Sequence, residues 1–179
     1  MDKVTHYEAA VLSLIDRMQP VTAYQIRKKL AESPNTNFSS STGKIYPIVR
    51  RLKERGLIDA EAVEDDQRNT ERLSCTTKGR QVLRRWVKDL GRAYLLPEDP
   101  LRTKILSFEL LTKTEQVRWL TTARAGLLKQ QKAIEEFGRR YPGPIIDLAH
   151  ANARMTTAAR IAWIDFALKK LGARAGPSA

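Results

Sequence analysis

Cysteine occurs once in this 179-residue sequence, at Cys75, and histidine only twice, at His6 and His150. A single thiol excludes an intrachain disulfide, and two widely separated histidines do not form a metal-ligand cluster, so a reducing compartment and no metal are expected. No run of about 18 uninterrupted apolar residues exists, which excludes a membrane-spanning helix. The opening MDKVTHYEAA lacks the charged-then-apolar order of a secretory signal. Glycine-rich phosphate loops, an HExxH zinc pattern and a Ser/His/Asp set are missing as well, and Asp65-Asp66 reads as the polar tip of a hairpin. A cytoplasmic protein without enzymatic activity or cofactor is therefore expected.

Negative charge is also scarce: 20 acidic residues stand against 32 lysines and arginines, giving a net charge of +12. The excess is concentrated. Between Arg17 and Arg55, nine basic residues meet only Glu32 and Glu54, so seven of the twelve net charges fall in under a quarter of the chain. A polyanionic partner, nucleic acid or an acidic membrane surface, follows from such a balance.

The stretch Phe38 to Ile58, FSSSTGKIYPIVRRLKERGLI, lies within that basic region. Ile45, Ile48, Val49 and Leu52 recur at steps of three and four, the spacing of a buried helix face. Lys44, Tyr46, Pro47, Arg50, Arg51 and Lys53 occupy the rest of the surface, and Arg55-Gly56 provides a stop. Ser41 is the expected N-cap, with Ser39 and Ser40 before it as further donors for phosphate at the positive helix end.

On either side, the pattern orders the remaining elements. Tyr7, Ala10, Val11, Leu14, Ile15 and Met18 form an apolar stripe for a first helix over Val4 to Met18. Thr22 with Gln25 has the form of a capping box and opens a second helix to about Glu32, with Ala23, Ile26 and Leu30 inward. After Gly56 the period becomes strand-like from Leu57 to Val63, and Thr70 to Cys75 returns. Three helices followed by a hairpin are the order of a winged helix-turn-helix, whose third helix enters the major groove while the hairpin lies along the backbone. Arg68 and Arg72 are the wing cations in this reading.

Thr76 caps a fourth helix carrying Val82, Leu83, Trp86, Val87, Leu90 and Tyr94, and Pro97 with Pro100 marks a boundary. The expected organisation is a winged helix-turn-helix with its linking helix at 1–96, an all-α dimerisation domain at 97–172, and a disordered tail at 173–179. Within the second domain, Leu101 to Leu111 reads as one segment. Thr112 with Glu115 forms another capping box for a long helix through Phe137, and Pro144 opens a last helix to Leu171. About seventy helical residues bury little apolar surface alone, so a second copy is expected against Leu101, Ile105, Phe108, Val117, Leu120, Leu127, Ile134, Ile161, Trp163, Ile164, Phe166 and Leu168.

Four ordered motifs carry a family resemblance: Ala23-Tyr24-Gln25-Ile26, Gly43-Lys44-Ile45-Tyr46-Pro47, Arg51 to Ile58, and Thr76-Thr77-Lys78-Gly79-Arg80. In these the sequence resembles the PadR family of bacterial transcriptional regulators. Ala23 departs from that family's usual glycine, and Leu73 stands where an aromatic residue is common. The resemblance implies a mainly α fold, a repressor that binds an inverted-repeat operator as a homodimer, and a small aromatic or hydrophobic effector. Trp86, Trp119 and Trp163 are the candidates for an effector pocket. The DNA-binding candidates are Tyr24, the serine cluster, Lys44, Arg50, Arg51, Arg68 and Arg72, with Thr42, Lys44 and Tyr46 placed to read bases. A winged-helix module for protein or RNA, without sequence-specific DNA binding, is the alternative reading.

Overall fold

A computed structural model describes residues 3–34, 42–63, 70–95 and 99–172. Helices α1 (His6–Met18), α2 (Ala23–Glu32) and α3 (Thr42–Glu54) come first, followed by strands β1 (Ile58–Ala62) and β2 (Glu71–Cys75) and helix α4 (Thr77–Lys88). Then follow α5 (Arg92–Leu95), α6 (Pro100–Ile105), a 3₁₀ turn at Phe108–Leu110, and two long helices, α7 (Lys113–Arg140) and α8 (Pro144–Lys170). The chain divides into two units, Met1–Leu96 and Pro97–Ala179. The expected disordered tail, the Asp65-Asp66 tip and the Ser41 cap lie outside the described residues.

In the first unit, one apolar core gathers Leu12 and Ile15 of α1, Ile26 of α2, Ile45 and Leu52 of α3, Leu57, Leu73 of β2 and Val82 of α4. Each such side chain contributes about 1.5–3 kcal/mol when withdrawn from water. The inward face of α1 differs from the expected stripe: Leu12 is fully buried, whereas Tyr7 and Met18 are exposed. Thr5 and Glu8 form a reciprocal capping box at its start, Thr22 and Gln25 one on α2. Between α1 and α2, Val21 bridges to Leu73, giving β2 a neighbour on both sides.

Strands β1 and β2 are antiparallel, pairing Ile58 with Cys75 and Glu61 with Arg72. Gly56 takes φ +63, the left-handed conformation that ends α3. The start of α4 packs closely on this corner. Thr76 accepts from the Gly79 N–H at 2.9 Å while its hydroxyl donates to the Gly56 carbonyl at 2.9 Å, and a Cβ on Gly79 would stand 2.2 Å from the Leu57 oxygen. Cys75 is buried beside this corner, and burial, reinforced by nearby Asp16, pushes its thiol up to about 11. The expected continuous fourth helix instead stops at Lys88 and resumes at Arg92, leaving Val87 and Leu90 exposed. Asp89 closes α4, its carboxylate accepting the Gly91 N–H at 3.0 Å.

In the second unit, the expected single segment Leu101 to Leu111 divides into α6 and the 3₁₀ turn. Asp99 caps α6 by accepting the Leu101 N–H at 2.9 Å and also receives Arg160 at 2.7 Å. α7, opened by the Thr112–Glu115 box, runs antiparallel to α8. Leu120 packs with Ile164 and Leu168 near one end, where Arg124 also pairs with Asp165 at 2.6 Å, and a Cβ on Gly138 would meet His150 near the other.

Candidate nucleic-acid interface

Helix α3 is held from behind by Ile45, Ile48, Val49 and Leu52, all buried. Because these four occupy one side, the opposite side must carry the remaining residues outward. Lys44, Tyr46, Pro47 and Arg50 are exposed there. Pro47 sits inside α3 beyond its first turn, so its missing N–H removes one helical bond.

The cations of this region are not equivalent. Arg50 lies in the open with its side chain 82% exposed, and its Nε donates to Glu54 at 2.8 Å, a surface pair that solvent screens. Lys53 is turned away to the wing and donates to both oxygens of Glu71, at 2.6 and 2.7 Å. Arg51, expected to meet phosphate, donates instead to Glu8 of α1 at 2.9 Å, and Arg55 reaches the same carboxylate at 3.4 Å. Burial alone would push the Glu8 carboxyl up. The Thr5 backbone N–H, Arg51 and Arg55 outweigh it and hold the group below the ordinary 4.5.

Other candidates are dispersed around α3. Tyr24 is exposed on α2, with the Arg27 guanidinium 5.1 Å from its ring centre, so the two make one aromatic-cationic surface. Arg72 is exposed on β2 opposite Glu61, while Leu73 beside it is fully buried, which assigns that position to the core. Ser39, Ser40, Ser41 and Arg68 lie outside the described residues, as does the side chain of Thr42.

The residues expected at a dimer contact separate into two groups. Leu120, Ile134, Ile164 and Leu168 are enclosed by the chain's own helices, and Leu101, Phe108, Val117, Leu127 and Trp163 pack partly buried in the same unit. Ile105 and Ile161 are half-buried, and Phe166 is open. α8 carries a further row, Ile145, Leu148, Asn152, Met155, Ala159, Ala162 and Phe166, all exposed and spaced alternately by three and four, of which Phe166 is among the residues expected at the contact.

The three tryptophans are divided between the two units. Trp86 belongs to the first unit, where its indole N–H donates to the Tyr94 hydroxyl at 3.1 Å. Trp119 and Trp163 belong to the second. Trp119 stands edge-on to Phe108, ring centres 5.1 Å apart, and lines a cleft of about 670 Å³ between α6 and α7 with Leu101, Lys104, Leu111, Arg118 and Ala123. Among the described residues, no group of three or more potential metal ligands occurs, and no helix is long and apolar enough to cross a membrane.

Three helices, an antiparallel wing and a cation-bearing third helix define a winged helix-turn-helix protein, mainly α, with a helical second unit. Residues 11–85 match the model of the transcriptional regulator PadR-like family. Bacillus subtilis PadR, solved in complex with operator DNA, shares 17% identity over 93% of this chain and 99% of its own, with a TM-score of 0.76. A PadR-like transcriptional regulator from Bacillus cereus shares 14% over 95% and 98%, with a TM-score of 0.74. The Bacillus subtilis protein solved with p-coumaric acid gives 17%, 92% and 98%, and 0.72. At such identities the likeness is one of fold, and it extends through the helical second unit. No curated protein matches the sequence.

Proposed function

We propose that this protein is a DNA-binding transcriptional regulator, a repressor acting in the cytoplasm as a homodimer on an inverted-repeat operator. The observation that carries the reading is the outward face of α3, where Lys44, Tyr46 and Arg50 project from a helix fixed behind by four buried aliphatic residues. Lys44 and Arg50 serve the phosphates, a strong contribution that is independent of sequence. Thr42 and Tyr46 lie toward the start of the helix, where base edges come closest. Tyr24 and Arg72 extend the phosphate track, and the serine cluster and Arg68 are assigned to phosphate from the sequence alone. The likeness to a PadR solved on operator DNA supports this assignment.

Dimerisation is supported by the open row on α8. Its three-four spacing is that of a helix-pairing seam, and Asn152 within it is the kind of polar residue that fixes register. The buried residues of α7 and α8 hold the hairpin in shape to present that seam. A twofold pair would place two α3 helices for half-sites about 34 Å, one DNA turn, apart. For an effector, the α6–α7 cleft offers an apolar floor at Leu101 and Trp119 and cations at Lys104 and Arg118, which suits an aromatic carboxylate. A PadR solved with p-coumaric acid supports that chemistry.

Selection of bound fragments from genomic DNA, followed by gel-shift titration of the recovered site against random duplex, tests the reading. An inverted repeat bound at least a hundredfold tighter than random duplex is expected. Equal, weak binding to both would replace the proposal with a protein- or RNA-interaction module.

A further inference from the structure

The capping box of α1 contains a charge that capping does not need. On α2 the same position is filled by Gln25, whose neutral Oε1 accepts the Thr22 N–H at 2.9 Å, about as close as Glu8 Oε2 accepts the Thr5 N–H at 3.0 Å. A neutral amide therefore satisfies the helix end. Glu8 is nevertheless a carboxylate and is only 5% exposed, an arrangement that is costly unless cations compensate it. Those cations come from α3 and its stop: Arg51 at Oε1, Arg55 at Oε2, with Arg55 also donating to the Lys3 carbonyl at 2.9 Å.

Arg51 lies seven residues after Lys44, two helical turns along the same flank of α3, and its side chain is still 49% exposed. Released, it would add a long mobile cation beside Lys44. We infer that Glu8 is a positioning residue of the recognition surface: by holding Arg51 and Arg55 against α1, it withholds a sequence-independent phosphate contact and fixes α3 to α1 so that discrimination rests on fewer groups. This rests on the DNA-binding role proposed for α3.

The two consequences differ: an added phosphate contact strengthens binding to both kinds of DNA, and a loosened α3–α1 attachment weakens binding to the selected site alone. With Glu8→Gln the cap remains, Arg51 is freed, and one more phosphate is neutralised. The slope of log K against log salt should steepen by about 0.9 for duplex DNA. Affinity for random duplex should rise, while the ratio of selected site to random duplex should fall.

The test measures binding of unaltered protein, Glu8→Gln, Arg51→Ala and the double variant to the selected site and to random duplex at four salt concentrations. Circular dichroism reports folding for each. A steeper slope in Glu8→Gln, returned to the original by adding Arg51→Ala, is the expected result. If both affinities fall together with an unchanged slope, Glu8 only stabilises the fold and the inference is overturned. Should Glu8→Gln not fold, Arg51→Ala alone decides: an unchanged slope supports the inference, and a slope shallower by about 0.9 places Arg51 on phosphate and overturns it. Absence of salt-dependent binding by the unaltered protein overturns the DNA-binding role itself, and the inference with it.

Discussion

Replacing Gly79 by alanine tests whether the corner beneath the wing is packed as tightly as its geometry requires. The added methyl would lie 2.2 Å from the Leu57 carbonyl oxygen and 2.8 Å from Cys75 Sγ. Neither neighbour is the loose end of a flexible side chain, and the Leu57 oxygen already accepts the Thr76 N–H at 3.1 Å. Relief requires a shift of about 1 Å between α4 and the chain before β1, an overpacking cost of about 1–3 kcal/mol. Losing the Thr76–Leu57 bond adds about 1 kcal/mol. Alanine returns at most about 1 kcal/mol through its helix preference. The balance is a loss of about 2 kcal/mol, which lowers the urea midpoint by about 1 M at a typical slope for a small domain. Gly126 provides the opposite case, a glycine within α7 where a Cβ meets nothing within 4 Å. Gly126→Ala should leave the midpoint unchanged or raise it. Urea titration followed by circular dichroism measures both, and a midpoint for Gly79→Ala equal to or above that of the unaltered protein refutes the packing argument.

Other outcomes concern the cations of α3 and the buried acid. Lys44→Ala combined with Arg50→Ala should remove two phosphate contacts and make the salt slope shallower by about 1.8, read by gel-shift titration at several salt concentrations. Glu54→Gln should free Arg50 from its surface partner and strengthen duplex binding, with fold stability changed by less than about 0.5 kcal/mol in the same urea assay. A carboxyl whose folded value is depressed adds stability above its unfolded value and loses it as pH falls through the folded one. Stability of the unaltered protein should therefore decline as pH drops below about 4.5, the ordinary glutamate value, and Glu8→Gln should flatten that decline in acid titrations of thermal unfolding.

Local signals in the sequence were readable where a single segment decides the outcome. The helix α3, its four-residue inner face, the Thr22 and Thr112 capping boxes and the strand pair all follow from periodicity and cap chemistry within about fifteen residues. The partner of Arg51 did not, because Glu8 lies 43 positions away and ion pairing across that distance leaves no periodic mark. A signal was present all the same in Thr5-His6-Tyr7-Glu8, which has capping-box form and identifies an acid fixed at a helix start. Which side of a helix turns inward was less legible. On α1, the buried set is Glu8, Ala9, Val11, Leu12, Leu14 and Ile15, and Tyr7 and Met18 lie at the margin of that face and stay exposed. On α8, two rows of residues share one helix, and composition does not reveal which row the chain's own α7 covers.

The lone thiol offers a built-in ruler. Cys75 ends β2 under the wing, its backbone N–H bound by the Gln19 side chain at 2.7 Å and its sulfur enclosed and protonated at neutral pH. Alkylating reagents need a reachable thiolate, so labelling proceeds only during excursions that lift the strand away. Mass shifts timed in hours, without engineered probes, would clock how often the amino-terminal half breathes.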